Sequence, residues 1–371
     1  MKNYRIMKKK IVIISMLLSL LLSSCLRNDK DYPNKDFPIT IKVDPTIELF
    51  CTIHRLANTN QYTTNEFPSY ISDIEDYFEK FQNHAAVRLA IQQKNQNRIN
   101  GSAPMSLALY LNSPPLLTPK NTISPPPEGL DNRWTENEII EFIDAAKSFS
   151  IDSDFMDFFD SKQEMYNRSI HNLYNYIKND RILQWFKMYF GYQPSNYSII
   201  LGMQNGHGNY GLTVTHRDST KEYIAILGAT TKKWSNTPKF SDYWIRPTIV
   251  HEFCHSYVNP LVDNNYKNFK LLADQIFEKE PPVSYYHPKT MMQEYLVRAC
   301  TIRFFYSKND SETINRRIKI DKKDGYPAIE ELVELLNKYE EKRDNYLSFA
   351  DFVPEIQSFF NSYANSIAEN K

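Results

Sequence analysis

Residues 248–255 read Thr-Ile-Val-His-Glu-Phe-Cys-His and contain the pattern H-E-x-x-H. On a helix, His251 and His255 project about 40° from one another, so both imidazoles can face one metal ion. Glu252 projects about 100° from His251, close enough to act on water at that ion without being a ligand itself. The stretch therefore predicts a metal site on a helix. The alternative is a buried helix whose two histidines only hydrogen-bond to backbone groups.

The residues around the motif set the expected limits of this helix. Pro247 suits the first helical turn, where its missing N–H costs nothing, and Asn259-Pro260 predicts that the helix ends soon after the motif. A metzincin site would continue with glycine at position 258 and histidine at position 261. Val258 and Leu261 stand there instead, so that subclass is excluded.

A hydrolytic zinc site needs a third protein ligand and keeps one position open for water. The downstream candidates are Asp263, Asp274, Glu278, Glu280, His287 and Glu294. Glu294 lies in the segment 291–306, which is apolar almost all round and therefore predicts a buried helix. Burying an ionised carboxylate there is costly unless it meets a cation, which favours Glu294 as the ligand. The alternative partner is Arg298, four residues on, and both contacts can coexist.

The charge balance argues against a nucleic-acid partner. The 371 residues include 44 basic and 44 acidic side chains. Five of the basic side chains precede residue 25, where there is no acidic one, so the remainder is mildly acidic. Because phosphate binding needs a basic face, we expect no nucleic-acid binding.

The N-terminus has the pattern of a lipoprotein signal peptide over residues 1–24. A basic stretch precedes the apolar run 11–22, which is shorter than the roughly 20 residues that span a bilayer. Leu22-Ser23-Ser24-Cys25 resembles the lipobox of bacterial lipoproteins. The resemblance implies acylation of Cys25 and a lipid-anchored, extracytoplasmic protein of the bacterial cell envelope, at the outer membrane or cell surface. An ordinary secretory signal is the alternative, and residues 25–40 are expected to form a flexible tether.

Apolar residues at three- and four-residue spacing predict a helical N-terminal region over residues 41–190. Within it, residues 113–129 hold six of the 20 prolines, which predicts a loop or an extended segment. Thr135 followed by Glu138 predicts a capping box at the start of a helix.

Strand-period patterns appear between residues 197 and 228 and predict a small mixed sheet, with Tyr210 to Thr215 as one strand. The predicted fold is α+β and predominantly helical. A zincin-like catalytic core is expected over residues 191–310, and a helical C-terminal region over residues 311–371.

With two histidines on one helix and a glutamate on a later one, the sequence resembles the gluzincin-type zincin metallopeptidases. It is more closely similar to a family of uncharacterised bacterial lipoproteins with a zincin-like domain. The segments that carry this similarity are Val43-Asp44-Pro45, Glu48-Leu49, Arg55-Leu56-Ala57, His84 with Val87, Val250 to Phe253, and Glu294 with Val297-Arg298-Ala299. The resemblance implies Zn²⁺ as cofactor, held by His251, His255 and Glu294, with Glu252 as general base and a peptide or protein as substrate. Arg298 stands where the best-known gluzincins carry an acid.

Two functions remain open on these residues. The leading hypothesis is a zinc-dependent peptidase in which an extended peptide pairs with a sheet edge, such as the strand Tyr210 to Thr215. The alternative is a noncatalytic surface lipoprotein with a structural metal site that binds glycan or protein. An intact Glu252 favours the enzyme, because a structural site has no need of that carboxylate.

Other residues are not distinguished by their spacing. An oxyanion donor could come from Tyr285, Tyr286, His287, His207 or His216, but packing is the preferred interpretation of each, and His54 and His84 are expected to be structural. Cys51, Cys254 and Cys300 are too scattered for a disulfide framework and are expected to be buried thiols. The sequence does not set the oligomeric state.

Overall fold

The computed structural model describes residues 37–231, 235–238, 243–279, 281–282 and 287–369. The predicted signal peptide and Cys25 lie outside the described residues, as do Glu280, Tyr285 and Tyr286. In the part of the chain that is described, no helix is both long and apolar enough to cross a membrane.

The N-terminal part of the chain is mainly helical and contributes one strand to the sheet. Its elements are β1 (Thr40–Lys42), α1 (Pro45–Leu56), α2 (Pro68–Phe78), α3 (Ala85–Asn97), α4 (Ser102–Leu109), α5 (Glu136–Asp152), α6 (Phe155–Ser161), α7 (Gln163–Ile177) and α8 (Ile182–Phe190). The Asp44 carboxylate caps α1 by accepting the N–H groups of Thr46 and Ile47. The predicted capping box of Thr135 and Glu138 is confirmed at the start of α5. The proline-rich segment 113–129 has neither helix nor strand.

The sheet is small and mixed. Its strands β2 (Asn196–Gly202), β3 (Tyr210–Thr215) and β4 (Lys221–Gly228) join β1 in the order β1-β2-β4-β3. Strand β2 runs parallel to β1 and to β4, whereas β3 pairs antiparallel with β4 and forms one edge. The central position of β4 agrees with its sequence, which is apolar on both faces.

Long helices follow the sheet and carry the residues of the motif. They are α9 (Ile245–Lys279), α10 (Pro288–Tyr306), α11 (Ser311–Lys323), α12 (Ile329–Glu341) and α13 (Val353–Glu369). The buried helix predicted around Glu294 is confirmed as α10. The described residues thus form a predominantly helical α+β fold, as the sequence predicts.

The prediction that Asn259-Pro260 ends the motif helix was wrong, because α9 continues to Lys279 with Pro260 inside it. Proline removes one helical hydrogen bond and clashes with the preceding turn, at a cost of about 3 kcal/mol. Beyond it, Val262 and Phe269 remain fully buried. Burial of this apolar face keeps the chain helical past the proline.

Candidate metal centre

Two helices bring three possible ligands together. Ligand atoms of His251 and His255 from α9 and of Glu294 from α10 all lie within 4.8 Å of one another. The Glu294 carboxylate is buried, while each histidine side chain is about 15% exposed, at 15% and 14%. The group is therefore fixed by the packing of α9 on α10 and keeps one side accessible.

The imidazole nitrogens lie close to each other, and each lies near a different oxygen of Glu294. The two Nε2 atoms of His251 and His255 are 3.2 Å apart. Glu294 Oε2 lies 3.6 Å from Nε2 of His251, and its Oε1 lies 3.4 Å from Nε2 of His255. Zinc bonds of about 2.0–2.1 Å place tetrahedral ligand atoms about 3.3–3.4 Å apart. Two imidazoles and one carboxylate at these distances thus form a group that could hold a metal ion after small adjustments of the side chains.

Asn259, one turn after His255, supports the orientation of that imidazole. Its Oδ1 lies 3.2 Å from Nδ1 of His255. When Nδ1–H donates this hydrogen bond, the lone pair of Nε2 stays free to bind a metal. The H-E-x-x-H pattern ends at His255 and does not include Asn259. The sequence therefore did not predict this contact.

Glu252 is buried beside the cluster and faces the sheet. Its carboxylate accepts the backbone N–H of Gly211 in the edge strand β3. Burial raises the pKa of Glu252 to about 7, with a further contribution from the charge of Glu294. A carboxyl group with that pKa can accept and release a proton near neutral pH.

Close approach of the sheet to α9 depends on Gly211. An added Cβ there would lie 2.0 Å from the carbonyl oxygen of Glu252 and 2.9 Å from Cβ of His255. Only glycine fits such a contact, which is a positional requirement that the sequence pattern did not reveal.

The metal-free ligands hold opposite charges. Burial alone would raise the pKa of Glu294, but His251, His255 and Arg298 hold it well below its usual range. Burial lowers the pKa of His251, whereas the hydrogen bond and charge of Glu294 overcome burial at His255 and raise its pKa to about 9. In the metal-free protein a proton on His255 thus provides a positive charge beside Glu294, in addition to that of Arg298.

Arg298 contacts the Glu294 oxygen, Oε2, that also lies near His251. Its Nε donates to Oε2 of Glu294 at 3.2 Å. The two interpretations of Glu294, ligand and ion-pair partner, are therefore geometrically compatible. Further ion pairs extend from Arg298 to Asp321 on α11, a residue that the sequence analysis missed because it lies in another helix.

The structure does not bring the other described candidates to this cluster. Asp263 pairs with Lys289, and Asp274 pairs with Lys270. His207 pairs with Glu66, His216 with Glu222, and His84 with Asp152, while His287 precedes α10 as an exposed N-terminal residue. His54 is buried and contacts Thr59. The described Cys51, Cys254 and Cys300 are free and buried, as predicted.

The outer edge of β3 is partly occupied. The His216 N–H donates to the Thr220 carbonyl, which makes these two residues a hydrogen-bonded pair. In an antiparallel ladder, hydrogen-bonded pairs alternate with pairs that are not hydrogen-bonded. The backbone N–H and C=O groups of Gly211, Thr213 and Thr215 therefore point away from β4. Asn121 of the proline-rich segment donates to the Thr215 carbonyl. The segment's last residue also approaches the strand, because a Cβ on Gly129 would lie 2.5 Å from the Thr213 oxygen. The proline-rich segment thus covers the end of β3 that lies away from Glu252.

The fold and the cluster together define a helical α+β protein with a His₂Glu group capable of holding a metal ion. Residues 127–358 match a domain of unknown function, DUF4932. Because this match covers more than half of the chain, the chain belongs to that family. No curated protein and no solved structure matches it.

Proposed function

We propose that this chain is a zinc-dependent peptidase with a zincin-like core. The observation that carries the proposal is that one ligand atom from each of His251, His255 and Glu294 lies within 4.8 Å of the other two, with the two imidazole Nε2 atoms 3.2 Å apart. Their donor set of two imidazoles and one carboxylate is typical of hydrolytic zinc, and it leaves a position for water. The resemblance to gluzincin-type metallopeptidases supports the same proposal.

The residues around the ion have distinct roles in this proposal. When bound, zinc acts as a Lewis acid that activates water and polarises a carbonyl group. Glu252, which is buried beside the ligands, would take the proton from the attacking water and deliver it to the leaving amine. Arg298 and Asn259 hold Glu294 and His255 in place.

The contacts of strand β3 restrict which part of its edge could pair with a substrate peptide. A peptide that pairs with this edge would have to do so near Gly211, whose N–H already donates to Glu252, because Asn121 and Gly129 occupy the portion near Thr213 and Thr215. We therefore propose that edge pairing involves only a few substrate residues next to the cleaved bond.

The decisive variant for catalysis is Glu252→Gln. It removes the proton acceptor and leaves all three ligands unchanged, so zinc content should stay near that of the wild type. General-base catalysis typically contributes about 10²- to 10⁴-fold, so hydrolysis of a diverse peptide library should fall by at least that order. Both proteins are compared by mass spectrometry of the digests, with zinc content measured on the same samples.

Two results of that comparison would contradict the peptidase. One is a zinc-loaded wild type that cleaves no member of the library, and the other is Glu252→Gln cleaving as fast as wild type. Either result would favour a noncatalytic lipoprotein with a structural metal site.

We also propose that the protein belongs to the lipoproteins with a zincin-like domain and is anchored through acylated Cys25. The lipobox resemblance of Leu22-Ser23-Ser24-Cys25 supports this attachment. An extracytoplasmic location in the cell envelope, at the outer membrane or cell surface, would follow from it.

A further inference from the structure

Behind Glu294, a chain of buried charges continues from α10 into α11. Arg298 Nε donates to Oε2 of Glu294 at 3.2 Å, and its Nη1 donates to Oδ1 of Asp321 at 2.6 Å. Asp321 is fully buried. One guanidinium group thus bridges a candidate metal ligand and a carboxylate that lies on a different helix.

Further contacts fix the guanidinium in this orientation. Arg317 Nη2 donates to the same Oδ1 of Asp321 at 3.0 Å. The ring of Tyr326 covers the Arg298 guanidinium at 4.5 Å. Asp324 also pairs with Arg298, at 3.4 Å, but it is 41% exposed and is therefore screened by solvent.

The charge on Arg298 would otherwise oppose metal binding. A guanidinium beside Glu294 competes with a divalent cation for the same carboxylate and repels that cation through the low-dielectric interior. A buried carboxylate at 2.6 Å offsets this charge and directs Nη1 away from Glu294. Removing the Asp321 carboxylate would leave Glu294 as the principal buried counter-ion of Arg298.

We infer that Asp321 is a positioning residue for the metal site. It holds Arg298 so that Nε supports Glu294, and it offsets the guanidinium charge that would weaken binding of a divalent cation. The inference rests on the zinc site of the proposed function and deepens it, because it extends the site from α10 to α11.

The test is zinc affinity, measured by competition with a chromophoric chelator. Asp321→Asn should bind zinc more weakly than wild type, by up to about the 10- to 100-fold that loss of a direct partner of a liganding side chain typically causes. Asp324→Asn is the matched control, since it removes a carboxylate that contacts the same guanidinium from an exposed position, and its zinc affinity should change far less. Thermal melting of the metal-free variants verifies that they fold.

A double variant separates positioning from a general charge effect. In an Arg298→Met background, Asp321→Asn should cause little further loss of zinc affinity, because the residue through which it acts is gone. If metal-free Asp321→Asn does not fold, zinc affinity is measured on the variant Arg298→Lys instead. An ammonium group cannot bridge Glu294 and Asp321 as a guanidinium does, so the same weakening is expected.

Unchanged zinc affinity in Asp321→Asn, or in Arg298→Lys where that variant is used, would overturn the inference and leave the proposed zinc site standing. Equal losses in the presence and absence of Arg298 would also overturn it. A wild type that binds no zinc would overturn both the inference and the proposed function. Weakened zinc binding in a protein without peptidase activity would support the inference and contradict the peptidase.

Discussion

At the scale of single residues, Gly211 sets the distance between the sheet and the helix that carries His251 and His255. Its backbone N–H reaches the carboxylate of Glu252, and its missing side chain leaves room for the Glu252 backbone. One hydrogen atom in place of a methyl group thus allows strand β3 to lie against the candidate site.

Gly211→Ala should therefore destabilise the protein and disturb the site. The new Cβ would lie 2.0 Å from a backbone oxygen, which cannot turn aside as a flexible side chain could. Overpacking of this kind typically costs about 1–3 kcal/mol, so the free energy of unfolding in denaturant should fall by that amount. Zinc affinity should fall with it, because α9 must shift.

Gly208→Ala is the matched control in the neighbouring turn, where the closest atom to a new Cβ is 3.1 Å away. Its stability should remain much nearer to that of the wild type. Equal stability of Gly211→Ala and wild type would contradict the close packing of β3 on α9.

The sequence predicted the residues whose signal is local. His251, Glu252 and His255 follow from helical spacing alone, and Glu294 stands out as a lone acid in an apolar helix. Asp321 has no such signal, because its importance depends on how α11 packs against α10.

The buried carboxylate of Glu48 is a second case in which the sequence does not reveal the partners of a charged residue. Its carboxylate accepts hydrogen bonds from Tyr70 and from Met203 and Gln204, which lie more than 150 residues away in sequence. Burial raises the pKa of Glu48 to about 7 despite these bonds. No pattern within α1 reveals partners at that separation.

At the scale of secondary structure elements, prediction worked where periodicity extended over several turns or was reinforced by a cap. Helix α5 has both an amphipathic pattern and its capping box. Strand β1 is only three residues long, which is too short to show an alternating pattern. The length of α9 was underestimated because the destabilising effect of Pro260 on a helix is visible in the sequence around it. The burial of the residues after Pro260, which offsets that effect, depends on tertiary packing.

At the scale of the whole molecule, the candidate site involves the sheet, the two ligand helices and helix α11 of the predicted C-terminal region. Strand β3 and the two ligand helices surround the cluster, and α11 contributes Asp321 from beyond residue 310. The predicted boundary between a catalytic core and a C-terminal region remains a prediction, but ion pairs cross it at the site. Residues 311–323 should therefore be needed for full metal affinity.

Attachment of the molecule to a membrane is tested at Cys25. We expect Cys25→Ser to lose membrane partitioning, because acyl chains would supply the anchoring once the apolar run before it is removed. Fractionation of cells into soluble and membrane material measures this. Arg27→Ala, which leaves the lipobox intact, should stay with the membranes, and retention of cleaved Cys25→Ser there would contradict lipid anchoring.

We propose that His251, His255 and Glu294 together hold one zinc ion, and elemental analysis of purified protein is the most direct test of this site. Wild type should contain one zinc per chain, and Glu294→Ala should lose it or bind it far more weakly, because two histidines alone do not complete a catalytic zinc site. His287→Ala, which changes a histidine outside the cluster, should retain zinc. Undiminished zinc in Glu294→Ala together with loss in His287→Ala would contradict this ligand set and assign the third ligand elsewhere.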